Sequence, residues 1–361
     1  MPGKGLRWGI AGYGDVVRKR VLPGLQALSE TVACVWGRDA QRARALSDDY
    51  DIGFGTDDYN AMLESVDLVY VATPVATHVP LAGAALRAGL PVLVEMPLGL
   101  PLLFPPRTSL GPHGSTVTLD EADLTAGPVA AAAAYGRTAP ALIRLRELLA
   151  GRTVHTISSS SGARFDPAPS DPGQWRTDPA VAGGGVLAAV GSHRLDLLLW
   201  LLGKPAEMTS EIGPRLARGA ERRASLQLTW PQGTRGALAV DWSEGPRHDR
   251  LTVTFDGGYL EGDPLDSGLL RGRIDGASVR IFRPPHANPH VPLLADFARS
   301  VADGTVPVCP IDDAMIVDRL IAAAYADAPS TDASPDLGSA GRPAFRPTAF
   351  TRARSANHCR R

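Results

Sequence analysis

Over the first hundred residues, short apolar runs alternate with stretches of helical period. Residues 7–11 form an apolar run that leads into Gly12-Tyr13-Gly14, residues 31–36 are rich in β-formers, and residues 68–72 and 91–94 are continuous apolar runs. Residues 39–48 carry a helical pattern opened by Asp39, a residue type whose carboxylate accepts from the free amides of a helix start. Strands that alternate with helices return by right-handed crossovers, which builds a parallel sheet.

The pattern breaks between residues 97 and 128. Pro101, Pro105, Pro106 and Pro112, with several glycines, leave no room for a long helix and predict an irregular loop. Beyond it, residues 130–134 read as a buried strand and 140–149 as a helix, and Gly183-Gly184-Gly185 precedes an amphipathic helix ending near Gly203. Hairpins follow. Residues 225–230 alternate, Pro231-Gln232-Gly233 turns, residues 236–242 return, and residues 251–255 run into a second turn at Asp256-Gly257-Gly258. Two helices come last, over 291–303 and from Asp312 or Asp313 to about residue 326. After Pro329 the chain is poor in apolar residues and cannot bury enough surface to offset its ordering entropy. The expected fold class is α/β. A doubly wound parallel Rossmann sheet occupies residues 1–127, an α+β domain with a mostly antiparallel sheet occupies 128–328, and a disordered tail occupies 329–361.

Charge and cysteine usage narrow the function. Thirty-seven Lys and Arg against thirty-eight Asp and Glu leave a net charge of -1, so no global field favours nucleic acid or an anionic membrane. Cys34, Cys309 and Cys359 lie far apart without a C-x-x-C pair, which fits a reducing cytoplasm. The first apolar stretch is closed by Asp15 and followed by Arg18-Lys19-Arg20, and residues 195–202 are too short to span a bilayer. The expectation is a cytoplasmic protein with a small-molecule partner.

Gly12-x-Gly14-x-x-Val17 stands between a strand and a helix. Glycines there permit the tight turn and close backbone approach that a pyrophosphate needs, with its charge met by the helix N-terminus. Tyr13, Asp15 and Val16 complete that candidate loop. At the end of the second strand an NAD site requires an acid for the ribose diol, but this chain reads Trp36-Gly37-Arg38-Asp39. Gly37 replaces the acid and Arg38 is suited to a 2′-phosphate, so NADP is preferred and NAD is possible. The competing reading of Arg38 is a solvated side chain beside an N-cap Asp.

These segments resemble the Gfo/Idh/MocA oxidoreductases. The resemblance rests on residues 9–14, on Thr73-Pro74 with His78, on Ala88-Gly89, and on Glu95-Met96-Pro97. It continues through Arg137 with Pro140, Trp175-Arg176, residues 183–187, residues 191–196 and the Asp296-Phe297 helix. It implies hydride transfer at a carbinol or carbonyl carbon, and an open second sheet often used for homo-oligomerisation. It also makes Thr73, Pro74, His78, Glu95 and Met96 cofactor-binding candidates.

Three departures stand out. Met96 replaces the family's lysine, Ala189 replaces an Asp four residues before the catalytic His, and a proline-rich stretch replaces the helix after residue 99. His193 keeps the family's position, and an imidazole titrating near neutrality suits proton exchange with an alcohol. Tyr135, Trp175, Arg176 and Asp196 are substrate-side candidates, Asp196 because it could orient His193 from one helical turn away. The bland alternatives are a packed histidine, a loop wall and a surface carboxylate. His286 and His290 have the spacing of helical zinc ligands, but Pro284, Pro285 and Pro289 argue against the helix that would align them, so no metal is expected. Two functions remain. One is an NAD(P)-dependent oxidoreductase acting on a secondary alcohol or ketone of a sugar, polyol or cyclic molecule; the other is a catalytically silent nucleotide-binding partner or sensor.

Overall fold

The computed structural model describes residues 5–99, 122–125, 127–242 and 245–327. The proline-rich loop of residues 100–121 and the tail of 329–361 lie outside the described residues. Six parallel strands, β1 (Arg7–Ala11), β2 (Thr31–Trp36), β3 (Phe54–Thr56), β4 (Leu68–Val71), β5 (Val92–Val94) and β6 (Ala130–Ala132), lie in the order β3-β2-β1-β4-β5-β6. β4 is buried at every position, as expected of a strand covered by helices on both faces. The first sheet extends past residue 127, because β6 pairs with β5, and the late helix His290–Asp303 inserts Leu293, Leu294 and Phe297 into the core around Trp8 and Ile10.

The second sheet has eight strands. β7 (Val154–Gly162), β8 (Glu207–Ile212), β9 (Arg223–Thr229), β10 (Arg235–Asp241), β11 (His248–Phe255), β12 (Gly258–Gly262), β13 (Leu269–Ile274) and β14 (Ala277–Phe282) run in the order β14-β13-β12-β11-β7-β10-β9-β8. Only the β7–β10 pair is parallel. Alternation sets the faces, so Leu226, Leu228, Leu238, Val240, Leu251 and Val253 point into the core.

Two helices open with a π-helical turn. Val17–Val21 precedes the helix Leu22–Ala27, where Pro23 has no N–H for the regular ladder. Leu187–Gly191 precedes the helix Ser192–Leu202. The helical run Pro179–Leu202 is long and apolar enough to cross a membrane, but most of it is buried inside the protein, and its leucines join the core under the second sheet.

One carboxylate sits in that leucine-rich helix. Asp196 is buried, and it accepts from Arg137 Nη2 at 2.6 Å and from Nε at 3.1 and 3.2 Å. Arg137, in the turn Tyr135–Thr138 just beyond β6, also donates to Asp313 at 2.6 Å and to the Val308 carbonyl. Burial opposes its charge, but Asp196 and Asp313 more than offset that and hold its pKa above the usual arginine value. Asp196 therefore does not orient His193 or face a substrate; it ties its helix to the first sheet. Removing one partner of a buried pair strands the other's charge. Arg137→Ala is thus expected to lower unfolding stability by about 3–5 kcal/mol, measured by urea denaturation.

Candidate active site

The strand order reverses between β1 and β4, and ligands of such sheets lie beyond the carboxyl ends of the strands at that point. A cleft of about 1470 Å³ opens there. It exceeds the roughly 300–1,000 Å³ of a single small-molecule pocket, leaving room for two molecules. Its first end is lined by Gly12 to Val16 after β1, Trp36 to Arg38 after β2, Ala72 to His78 after β4, and Glu95 to Pro97 after β5.

One glycine there, Gly12, is required by contact. Gly12 has φ +120°, and a Cβ on it would stand 2.6 Å from the Ala72 carbonyl oxygen, whereas a Cβ on Gly14 would project into open space. This is a cradle in which backbone, not side chain, meets the ligand. A Cβ on Gly37 would collide with the Tyr13 ring, and the Arg42 guanidinium covers that ring at 4.5 Å from its centroid. Asp39 is occupied as the cap of helix Ala40–Tyr50, accepting from the Arg42 amide at 3.1 Å. Arg38 and Arg42 line this end of the cleft beside Gly37, and Asp39 is not among the lining residues. Asp15 pairs with Lys19 at 2.7 Å on the exposed side of the loop.

His78 is buried, with Nδ1 2.9 Å from the Pro97 carbonyl and Nε2 2.7 Å from that of Thr73. It pins two segments of the cleft wall together. Glu95 accepts from the Tyr70 hydroxyl at 2.7 Å and stands 3.4 Å from His290 Nε2. Burial pushes the Glu95 carboxyl up, but the bonds from His290 and Tyr70 outweigh it and hold its pKa below the usual value. Met96 is nearly buried in the wall and offers no donor.

The second end is built by the other sheet and its helices. His193, at the start of Ser192–Leu202, lies 4.9 Å centroid to centroid from Tyr135, which lies 5.6 Å from His290 at 28°. Burial drives the His193 imidazole down to about 4, Glu95 opposing and Arg194 reinforcing the shift, so the ring is neutral at pH 7. Ala189, Trp175 and Arg176 also line the cleft, Arg176 with its guanidinium 4.4 Å from the Trp175 ring centroid.

The cleft thus gathers every sequence candidate except Asp196. It also holds residues that reasoning from sequence passed over. With Pro289 at its boundary and His286 outside it, the helix His290–Asp303 is opened by His290. Its signal was the stripe His290, Leu293, Leu294, Phe297, which puts the ring on the buried face. Asp249 was signalled by its place in the alternation with Leu251, Val253 and Phe255, a carboxylate where a core residue belongs. No group of three metal-ligating side chains occurs among the described residues.

Comparison with known proteins agrees with this arrangement. Residues 6–103 match the oxidoreductase family model with an NAD-binding Rossmann fold, and residues 142–261 match the GFO/IDH/MocA C-terminal domain. The chain is 27% identical over 331 residues to a D-xylose 1-dehydrogenase (NADP(+)) of Haloferax volcanii, covering 90% of this chain and 97% of that one. It is 28% identical over 320 residues to a dTDP-3,4-didehydro-2,6-dideoxy-alpha-D-glucose 3-reductase of Streptomyces antibioticus, covering 84% and 91%. Among solved structures, the aldose-aldose oxidoreductase from Caulobacter crescentus shares the fold with a TM-score of 0.75 at 22% identity, over 90% of this chain and 97% of that one. A 3-ketoreductase from Actinomadura kijaniata does so with a TM-score of 0.74 at 21% identity, over 90% and 98%. With both domain models matched in order and the cleft between them formed as that pairing requires, the chain belongs to the Gfo/Idh/MocA family of NAD(P)-dependent oxidoreductases.

Proposed function

We propose that the protein is an NADP-preferring enzyme that exchanges a hydride with a secondary alcohol or ketone of a sugar, polyol or related cyclic molecule. The observation that carries this reading is one continuous cleft holding the glycine cradle at one end and His193 with Tyr135 at the other. The D-xylose and dTDP-sugar enzymes among its relatives support the substrate class. The cofactor, when bound, supplies the hydride acceptor or donor at its nicotinamide ring. Gly12 and Gly14 would admit its pyrophosphate to the backbone, and Arg38 and Arg42 would pair with a 2′-phosphate on its ribose.

His193 handles the proton. Neutral at pH 7, it accepts the hydroxyl proton as an alcohol is oxidised, and the ionised Glu95 nearby favours the positive charge that the ring then carries. Met96 offers no donor, and Tyr135, whose ring packs against His193, carries a hydroxyl that can donate. A second reading, a binder without turnover, draws on Met96 and Ala189, which remove two proton-handling groups from the cleft. The buried free thiols Cys34 and Cys309 suit a reducing compartment, and we place the protein in the cytoplasm.

Fluorescence titration is expected to give tighter binding of NADPH than of NADH. Arg38→Ala and Arg42→Ala should each weaken NADPH by roughly ten- to a hundredfold, with NADH nearly unchanged. Equal affinities of the wild type for the two cofactors would remove the preference.

His193→Ala should cut steady-state turnover by about 10²- to 10⁴-fold without changing NADPH affinity. NADPH binding with no oxidation or reduction across a panel of sugars and cyclic ketones would instead establish the silent binder.

The same imidazole links stability to pH. The native ring gains its proton only near pH 4, whereas its ordinary value is 6.5, so the unfolded state binds more protons between these limits. Stability should therefore fall as pH drops from 6.5 toward 4, at up to about 1.4 kcal/mol per pH unit from this group. His193→Gln should flatten that slope in urea titrations at successive pH values.

A further inference from the structure

Asp249 projects from β11 at a position whose neighbours on the same face are Leu251 and Val253. Its carboxylate is only 2% exposed. Arg194 Nη2 pairs with Oδ1 at 2.6 Å, and Arg247 Nη2 is 4.0 Å from Oδ2. The same Arg247 nitrogen pairs with Asp266 at 2.5 Å. All four side chains line the substrate end of the cleft, and Arg194 directly follows His193 in the chain.

A buried carboxylate is costly unless paired and hydrogen-bonded, and here Arg194 engages Oδ1 while Oδ2 has no hydrogen-bond partner among the described residues. Burial raises the Asp249 pKa, Arg194 and Arg247 oppose that rise, and Asp266 adds to it. Two arginines against two aspartates sum to zero charge, so the row presents alternating donors and acceptors with no net attraction for an anion. A hydroxyl both donates and accepts, and it completes such a row. A phosphate only accepts, and its charge would face Asp249 and Asp266. Arg247 is 59% exposed, is held by Asp266 and is not in hydrogen-bond contact with Asp249, so it leaves Oδ2 without a donor.

Resting on the function proposed above, we propose that Arg194, Asp249, Arg247 and Asp266 form a charge-neutral specificity wall that recognises adjacent hydroxyl groups of an uncharged, polyhydroxylated ring. Asp249 receives hydroxyl protons in hydrogen bonds, and the arginines donate to the hydroxyl oxygens. Failure to fill the acceptors is what penalises a substrate without those hydroxyls.

The test is binding to the NADPH-loaded protein, followed by saturation-transfer NMR with D-glucose, D-xylose, cyclohexanone and D-glucose 6-phosphate. The wild type is expected to bind the two neutral sugars and to favour glucose over its 6-phosphate. Asp249→Asn, which keeps the shape, and Arg194→Leu should each weaken the sugars at least tenfold while leaving cyclohexanone and NADPH affinities unchanged. Equal weakening of cyclohexanone and sugars would reduce the wall to a structural clamp and overturn the proposal, as would tenfold tighter binding of the phosphate ester. Sugars bound equally well by the wild type and the variants would overturn the wall and leave the proposed function standing. NADPH bound with no sugar bound would remove both.

Discussion

The buried ion pair between Arg137 and Asp196 is the contact on which the arrangement of the cleft depends. Arg137 lies two residues after Tyr135, and Asp196 lies three residues after His193 on its helix. Locking the two charges together at 2.6 Å therefore sets the distance between the tyrosine that leaves the first sheet and the histidine that sits under the second. Hydrophobic packing alone is too permissive to do this. Leucine faces can slide by a fraction of a turn at small cost, whereas a bidentate guanidinium–carboxylate pair has a fixed plane and length. The further bond from Arg137 to Asp313 extends the restraint to the last helix, Ile311–Ala326.

Around that frame the cleft is organised by where charge is kept and where it is removed. Glu95 stays ionised because Tyr70 and His290 donate to it, and it sits beside an imidazole that burial keeps neutral. The negative charge of Glu95 raises the proton affinity of that imidazole, though by less than burial lowers it. Met96 gives Glu95 no cation from the adjacent position, and His290 reaches in from a helix almost two hundred residues later. The orphaned Nδ1 of His290 is a polar atom of the cleft wall with no partner among the described residues. The wall is thus incomplete by itself and matches a site meant to be filled.

Much of the fold was legible because its signals are local. The run before Gly12, the N-cap Asp39 and the helix Pro140–Leu149 stand where the pattern puts them, since turn stereochemistry, capping and periodicity each involve residues a few positions apart. The hairpins β9–β10 and β11–β12 follow from alternation and turn residues in the same way. The three-residue strand β3 was not legible, because its pairing with β2 comes from the sheet and not from any pattern in Phe54–Thr56. The π-helical turn Leu187–Gly191 ahead of His193 was equally hidden, since its apolar residues suit an ordinary helix.

His193 was singled out by the family resemblance, whereas the sequence by itself determined the two-sheet architecture, the glycine cradle and the absence of an acid at Gly37. Each of these is a property of residue type in a short window, enforced by sterics or by hydrogen-bonding capacity. The tertiary structure alone decided which charges meet. It turned Asp196 from a candidate beside the substrate into the anchor of a helix, brought His290 to Glu95 and Arg42 over Tyr13, and left Asp249 buried with its Oδ2 unfilled. Electrostatic partners are chosen by distance through space, and in this chain those distances join residues that lie from about thirty to nearly two hundred positions apart.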